Sequence, residues 1–201
     1  MIVWGVVVAA GLGRRFGGMK QHIELGGVPL WRWGQKALLS GGVDGVILVG
    51  PVEGGVPGGE RRRDSVAAGL SRLPEGVDYV LVHDAARPLA SSGLVARVIE
   101  RLEQGDVDGV VPVVPVRDTL KEIAGGAVVG TCDRTNLVSA QTPQGFRLSA
   151  LMEAHAFFVG DASDDASMVE AMGGAVGWVD GDPGNLKLTY PEDLRVLESL
   201  L

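Results

Sequence analysis

Residues 2–9, IVWGVVVA, form an unbroken apolar stretch that stops at a glycine-rich turn. A strand with one face in water alternates apolar and polar side chains, so a run with no polar member must be covered on both faces. It is far too short to cross a bilayer as a helix. Similar stretches return at residues 43–49, closed by Gly50-Pro51, at residues 79–82, and at residues 107–116, which include Pro112 and Pro115. Between them lie segments with helical spacing. These are residues 29–39, stopped by Gly41-Gly42, residues 64–73, with Asp64 or Ser65 near the start, and residues 91–104, with Ser91 or Ser92 as cap. Repeated β-α-β units with fully apolar strands predict an α/β fold. The sheet is Rossmann-like, open and mostly parallel, with helices on both faces.

The rhythm breaks after residue 116. Residues 117–136 are polar and turn-rich, with a short hairpin signal in Glu122-Ile123, Gly125-Gly126 and Val128-Val129. The expectation is a single domain over residues 1–201, with residues 116–136 as a protruding β-arm. Helical spacing resumes at 147–159 and 164–172, a late strand follows at 175–179, and Thr189-Tyr190-Pro191-Glu192 fits a helix start.

With 201 residues, 46% hydrophobic and 21% charged, the chain has enough apolar material for a substantial core. A net charge of −7 argues against a general nucleic-acid binder, although a local basic pocket for a small anion is compatible with it. The single cysteine, Cys132, cannot form an internal disulfide. The first residues, Met1-Ile2-Val3-Trp4-Gly5, lack the basic start of a secretory leader. Both features lead to the expectation of a cytoplasmic protein. Of 18 basic residues only Lys20, Lys36, Lys121 and Lys187 are lysines. In such a chain a retained lysine points to a need for a compact point charge rather than a broad fork.

Five segments could carry chemistry. Ala9-Ala10-Gly11-Leu12-Gly13-Arg14-Arg15-Phe16-Gly17-Gly18-Met19-Lys20 follows the first strand, where ligands of open α/β sheets sit. Its glycines let backbone N–H groups approach phosphate oxygens, and Arg14, Arg15 and Lys20 add positive charge. It is not a dinucleotide fingerprint, because Phe16 replaces the third glycine, nor a Walker loop, because Lys20 lies between Met19 and Gln21. A plain glycine-rich turn is the competing reading. Gly58-Gly59-Glu60-Arg61-Arg62-Arg63-Asp64-Ser65 is either a solvated basic loop with a cap or a ligand loop. His83-Asp84-Ala85-Ala86-Arg87-Pro88 ends the third strand with a carboxylate able to hold Mg²⁺ or a sugar hydroxyl, with Arg87 as a possible partner for Asp84. Arg117-Asp118-Thr119 and Cys132-Asp133-Arg134 bracket the arm, either as cross-strand pairs or as a basic site. Gly184-Asn185-Leu186-Lys187 places a lysine among apolar residues, where an anion would stabilise it. Ser163-Asp164-Asp165-Ala166-Ser167 is a helix start that could receive a phosphate or simply be capped.

Taken in order, these segments resemble the 2-C-methyl-D-erythritol 4-phosphate cytidylyltransferases of the non-mevalonate isoprenoid pathway. The most specific pieces are Val82-His83-Asp84-Ala85-Ala86-Arg87-Pro88 and Pro115-Val116-Arg117-Asp118-Thr119. Asp133-Arg134, Gln141-Thr142-Pro143-Gln144 and Asn185-Leu186-Lys187 support them. The resemblance implies transfer of CMP from CTP to the polyol phosphate with release of pyrophosphate, with Mg²⁺ as cofactor. It implies that Arg15 and Lys20 stabilise the transition state and that Arg134 and Lys187 position the acceptor phosphate. Ala9, Ala10, Gly11 and Gly13 would hold CTP, Gly59 and Glu60 would read the base, and Ser65, Asp84 and Ala85 would line the nucleotide site, with Asp84 near the metal. Thr119, Thr142 and Ser163 would assist. The arm would cross a homodimer, so that Thr119 and Arg134 act in the partner's site. Departures are Met19 where Pro is usual, Glu60 where Asp is usual, and Ser163-Asp164-Asp165 in place of Thr-Asp-Glu. Transfer to another polyol phosphate such as ribitol 5-phosphate, guanylyl transfer of the molybdenum-cofactor type, and a non-catalytic nucleotide-sensing module are the alternatives.

Overall fold

The computed structural model describes every residue except Leu12, Arg14 and Met19, and the backbone alone at Gln21. Arg14 and Met19, both part of the expected phosphate loop, therefore lie outside the described residues. The central sheet contains β1 (Val3–Val8), β4 (Gly45–Val49), β5 (Tyr79–Asp84), β6 (Gly109–Pro115), β9 (Val138–Ala140), β10 (Gln144–Arg147) and β11 (Val176–Asp180). The order is β11-β6-β10-β5-β1-β4, with β9 added beside β6. β1 runs parallel to both β4 and β5, and β11 runs parallel to β6.

β10, like β9, is a strand that the sequence did not announce. It enters the middle of the sheet antiparallel to both β5 and β6. Its sequence, QGFR, is too short and mixed to register as an apolar run. Gly145 is required there by packing: a Cβ would lie 2.6 Å from Val98 and 2.7 Å from Leu102 on the helix above.

Helices cover both faces. α1 (Leu30–Ser40) and α3 (Ser92–Glu103) lie on one, and α2 (Arg62–Leu70), α4 (Leu148–Phe157) and α5 (Asp165–Ala171) on the other. Strand alternation sorts the side chains between them. Val3, Val7 and Leu81 pack with Leu38, Val95 and Val98, whereas Val6, Val80 and Val82 pack with Val66, Leu70, Leu151 and Met168. The same alternation turns His83 toward α1 and Asp84 toward α2, which decides the wiring of the site.

Two helix starts refine the sequence expectations. Ser91 caps α3 by accepting from Leu94 N. α2 starts earlier than expected, at Arg62 after an Arg61 cap, because Asp64 returns its carboxylate to Arg61 N at 3.2 Å. Ser65 is therefore a buried first-turn residue, not the cap.

A small third core lies beyond the carboxyl ends of the strands. Leu25, Leu30, Leu188 and Leu197 are fully buried there, with Ile23, Leu186 and Leu194 packed around them. It joins the hairpin of β2 (Glu24–Leu25) and β3 (Val28–Pro29) to the terminal helix α6 (Asp193–Glu198). The residues 117–136 excursion contains a two-stranded hairpin, β7 (Lys121–Ala124) and β8 (Ala127–Thr131), turning at Gly125-Gly126.

Candidate active site

A cavity of about 580 Å³ opens at the carboxyl ends of β1 and β5. Ala9, Ala10, Gly11 and Gly13 line it from the first turn. Gly13 must be glycine: its φ is +60°, and a Cβ would collide with the Gly18 carbonyl. Gly59, Glu60, Arg61, Arg62 and Ser65 line another wall. Ser65 Oγ accepts from Gly59 N at 3.1 Å and lies 3.2 Å from the Arg61 carbonyl, so it shapes the loop from beneath. Asp84 and Ala85 come from the end of β5, and Leu30 and Trp31 supply an apolar wall from α1 that the sequence had not marked.

Lys20 and Lys187, 167 positions apart by subtraction of their numbers, line this same cavity. The third core explains their convergence. Lys20 opens a 3₁₀ turn just before Ile23 and Leu25, and Lys187 stands between Leu186 and Leu188. The hydrophobic neighbours are buried together, which leaves the two ammonium groups facing the cavity rim. Lys20 Nζ donates to the Leu188 carbonyl at 2.5 Å, and Lys187 Nζ donates to Asp84 Oδ2 at 2.7 Å. Burial and the nearby Lys187 and Arg15 charges pull the Lys20 ammonium below its ordinary value. Gathering like charges in a half-buried place is unfavourable until an anion joins them. Arg15 itself is on an exposed turn and does not line the cavity.

Asp84 carries two cations. Arg62 Nε donates to Oδ1 at 3.0 Å, while Lys187 holds Oδ2. Burial alone would raise its carboxyl, but the Arg62 and Lys187 charges hold it well below the usual carboxylate range. Arg87, a candidate partner of Asp84 in the sequence, instead donates to the carbonyls of Asn185 and Ala140. Together with Gln141, Arg87 clamps the loop that carries Lys187. Gln141 Nε2 donates to the Asp182 carbonyl, and Asn185 Nδ2 donates to the Thr142 carbonyl at 2.8 Å.

His83 supports the strand end from the opposite face. Its Nε2 lies 3.1 Å from the Arg87 carbonyl, which requires the proton on Nε2 and leaves Nδ1 to accept from the Thr142 hydroxyl. Thr142 Oγ1 in turn accepts from Asp84 N. Burial pushes the imidazole down to about 4, so it is neutral near pH 7 and acts as a spacer, not a base.

A second cavity of about 220 Å³ adjoins the first. Thr142, Ser163, Gln144 and Asp164 line it, and Arg62, Asp84 and Lys187 belong to both cavities. The start of α5 is not a free anion seat, since Asp164 caps it with its own carboxylate at 3.0 Å from Ser167 N. Thr119 and Arg134 line neither cavity; both are exposed, and the Arg134 guanidinium holds the carbonyls of Val116, Arg117 and Asp118. Cross-strand pairing with Asp118 or Asp133, one of the two readings of these segments, is absent among the described residues: Asp133 bonds Thr135 instead.

Among the described residues no three His, Cys, Asp or Glu side chains meet as a protein-only metal cage. Mg²⁺ is commonly held by one or two carboxylates together with substrate phosphates. Asp84 fits as the single protein ligand of such a phosphate-borne ion, in exchange for one of its cationic partners.

The family model for IspD, 2-C-methyl-D-erythritol 4-phosphate cytidylyltransferase, matches residues 3–201. The chain belongs to the IspD family. The 2-C-methyl-D-erythritol 4-phosphate cytidylyltransferase of Rhodococcus jostii is 42% identical over 216 residues, covering 99% of this chain and 95% of that one. The bifunctional enzyme IspD/IspF of Oleidesulfovibrio alaskensis is 41% identical over 99% of this chain. The chain spans 58% of the length of that bifunctional relative. Among solved IspD structures, the Thermus thermophilus cytidylyltransferase superposes with a TM-score of 0.84 at 37% identity, over 97% of this chain and 96% of that one. The Francisella tularensis IspD superposes with 0.85 at 28% identity over the whole of both chains. The IspD fold is thus a mostly parallel, helix-flanked sheet in this chain as in those.

Proposed function

We propose that this chain transfers CMP from CTP to 2-C-methyl-D-erythritol 4-phosphate. The observation that carries the reading is the wall of Arg62, Asp84 and Lys187 shared by two adjoining cavities, one large and partly apolar, the other small and polar. The larger cavity suits a nucleoside triphosphate, with its backbone turn and Lys20 on the phosphates. Gly59, Glu60 and Ser65 stand where the base and sugar would be read. The smaller cavity suits the acceptor, with Thr142 and Ser163 as hydroxyl partners.

In the reaction, a phosphate oxygen of the acceptor attacks the α-phosphorus of CTP, and the bond to the pyrophosphate oxygen breaks. The nucleophile is already ionised, so no strong base is required, in keeping with a neutral, buried His83. Catalysis then rests on positioning and charge neutralisation. Lys20, with the Arg15 charge close to it, stabilises charge on the reacting phosphoryl group, and Lys187 positions the acceptor phosphate. Mg²⁺, held by Asp84 with the phosphates, would supply further neutralisation when bound.

Thr119 and Arg134 act in a second copy of the chain, and residues 116–136 form the dimer arm. The arm and its neighbouring strand expose Ile123, Val128, Val129 and Val138, an apolar surface that a partner would cover. The protein works in the cytoplasm, and among the described residues no helix is long and apolar enough to cross a membrane.

Pyrophosphate release tests the reading directly. Each nucleoside triphosphate is paired with methylerythritol phosphate and with ribitol 5-phosphate, with Mg²⁺ present. Release with CTP and methylerythritol phosphate alone is expected; preference for GTP or ribitol phosphate, or no release from any pair, contradicts it.

A further inference from the structure

Among the described residues, Arg62 is the one arginine of the Arg61-Arg62-Arg63 run that pairs with buried carboxylates. Arg61 pairs with Asp64 and Asp161 at the surface, and Arg63 donates to the carbonyls of Phe158 and Gly160. Arg62 bridges two carboxylates: Nε to Asp84 Oδ1 at 3.0 Å and Nη1 to Asp165 Oδ2 at 2.6 Å. Asp165 is completely buried and also lies 3.3 Å from His155 Nε2. Arg62 Nη2 is buried with no hydrogen-bond partner among the described residues.

The arrangement poses a charge problem. Lys187 gives one of its three N–H donors to Asp84, so a substrate phosphate that takes the whole ammonium loosens that bond. A carboxylate left alone in such a place is strongly unfavourable. Arg62 occupies the other oxygen of Asp84, so the carboxylate stays compensated when Lys187 turns away.

We propose that Arg62 is a positioning residue that makes Lys187 transferable: it keeps hold of Asp84 while Lys187 exchanges between Asp84 and the acceptor phosphate. The inference rests on the cytidylyl-transfer reading and extends it to a wall residue of both cavities that acts through Asp84. An ammonium does not replace the guanidinium, because lysine has a methylene at the chain position where Nε meets Asp84 Oδ1. The competing role is a structural staple from α2 to α5 through Asp165.

Three variants separate the two roles. In Arg62→Gln the acceptor KM rises at least tenfold while the KM for CTP changes less than threefold. Arg62→Lys shows the same split and decides the matter if Arg62→Gln does not fold. Asp165→Asn removes the staple but leaves Arg62 on Asp84, so its acceptor KM stays within threefold of wild type whatever its melting temperature. Crystals soaked in inorganic phosphate provide a readout independent of turnover: Lys187 leaves Asp84 for phosphate in the wild type and remains on Asp84 in the Arg62 variant. Equal KM effects in Asp165→Asn and the Arg62 variant, or Lys187 taking phosphate equally in wild type and variant, overturn the proposal. A wild type without pyrophosphate release overturns the transfer reading instead, and the phosphate-soaked pair still decides the role of Arg62.

Discussion

At the scale of single residues, the site depends on two ammonium groups that line one cavity. Lys20 reaches the Leu188 carbonyl and the cavity together, and its lowered proton affinity records the nearby burial and positive charge. Removing a preorganised donor to a developing oxyanion costs about 10² to 10³ in turnover. Lys20→Ala is expected to lose that much in single-turnover CMP transfer, with little change in melting temperature; unchanged turnover contradicts the role. Lys187→Ala is expected to weaken the acceptor more than CTP, as read from the two KM values. Both lysines were legible in the sequence because lysine is scarce here and each lies beside an apolar or glycine-rich signal. Arg62 was not, since three consecutive arginines look alike until the helix start sets which one pairs with buried carboxylates. Trp31 was hidden for a similar reason: its spacing marks it as a core residue, and it is one that also faces the cavity.

At the scale of elements, the alternating apolar runs made most of the sheet and its helices readable, because burial on both faces leaves a strong signal. β10 escaped because its register is imposed by neighbours on both sides, not by its own four residues. The third core likewise joins segments far apart in sequence, so no local pattern reveals it. Its consequence is testable. Leu188→Ala deletes a fully buried side chain between Leu25, Leu30 and Leu197 and should cost about 2–5 kcal/mol of stability in urea unfolding. Because Leu188 also supplies the carbonyl that holds Lys20, turnover of the folded fraction should fall as well. Retained turnover would separate the core from lysine placement.

At the scale of the whole molecule, the buried His83 links folding to pH. Its folded-state affinity for protons, near 4, lies below the ordinary histidine value of about 6.5. The neutral form is favoured in the fold, so the full contribution is present above about pH 6.5. It is lost as the pH falls from there toward 4, and amounts to about 3 kcal/mol over that window. Asp84, whose carboxyl is depressed, adds its own loss only at still lower pH. Urea midpoints measured between pH 7 and 4 should therefore fall in the wild type and flatten in His83→Gln. A flat wild-type profile would show that the imidazole is not held neutral. The exposed arm yields a second expectation at this scale. Light scattering should give twice the chain mass, and deletion of residues 121–131 should give a monomer with impaired transfer. A fully active monomer would remove Thr119 and Arg134 from the site.

The central claim is that two lysines brought together by the small third core act on one phosphorus centre. Crystals grown with CTP, methylerythritol phosphate and Mg²⁺ under non-reacting conditions test it most directly. The account predicts Lys20 Nζ on the triphosphate and Lys187 Nζ on the acceptor phosphate, with the acceptor oxygen in line with the α-phosphorus. Electron density that places either ammonium away from both phosphates would contradict it.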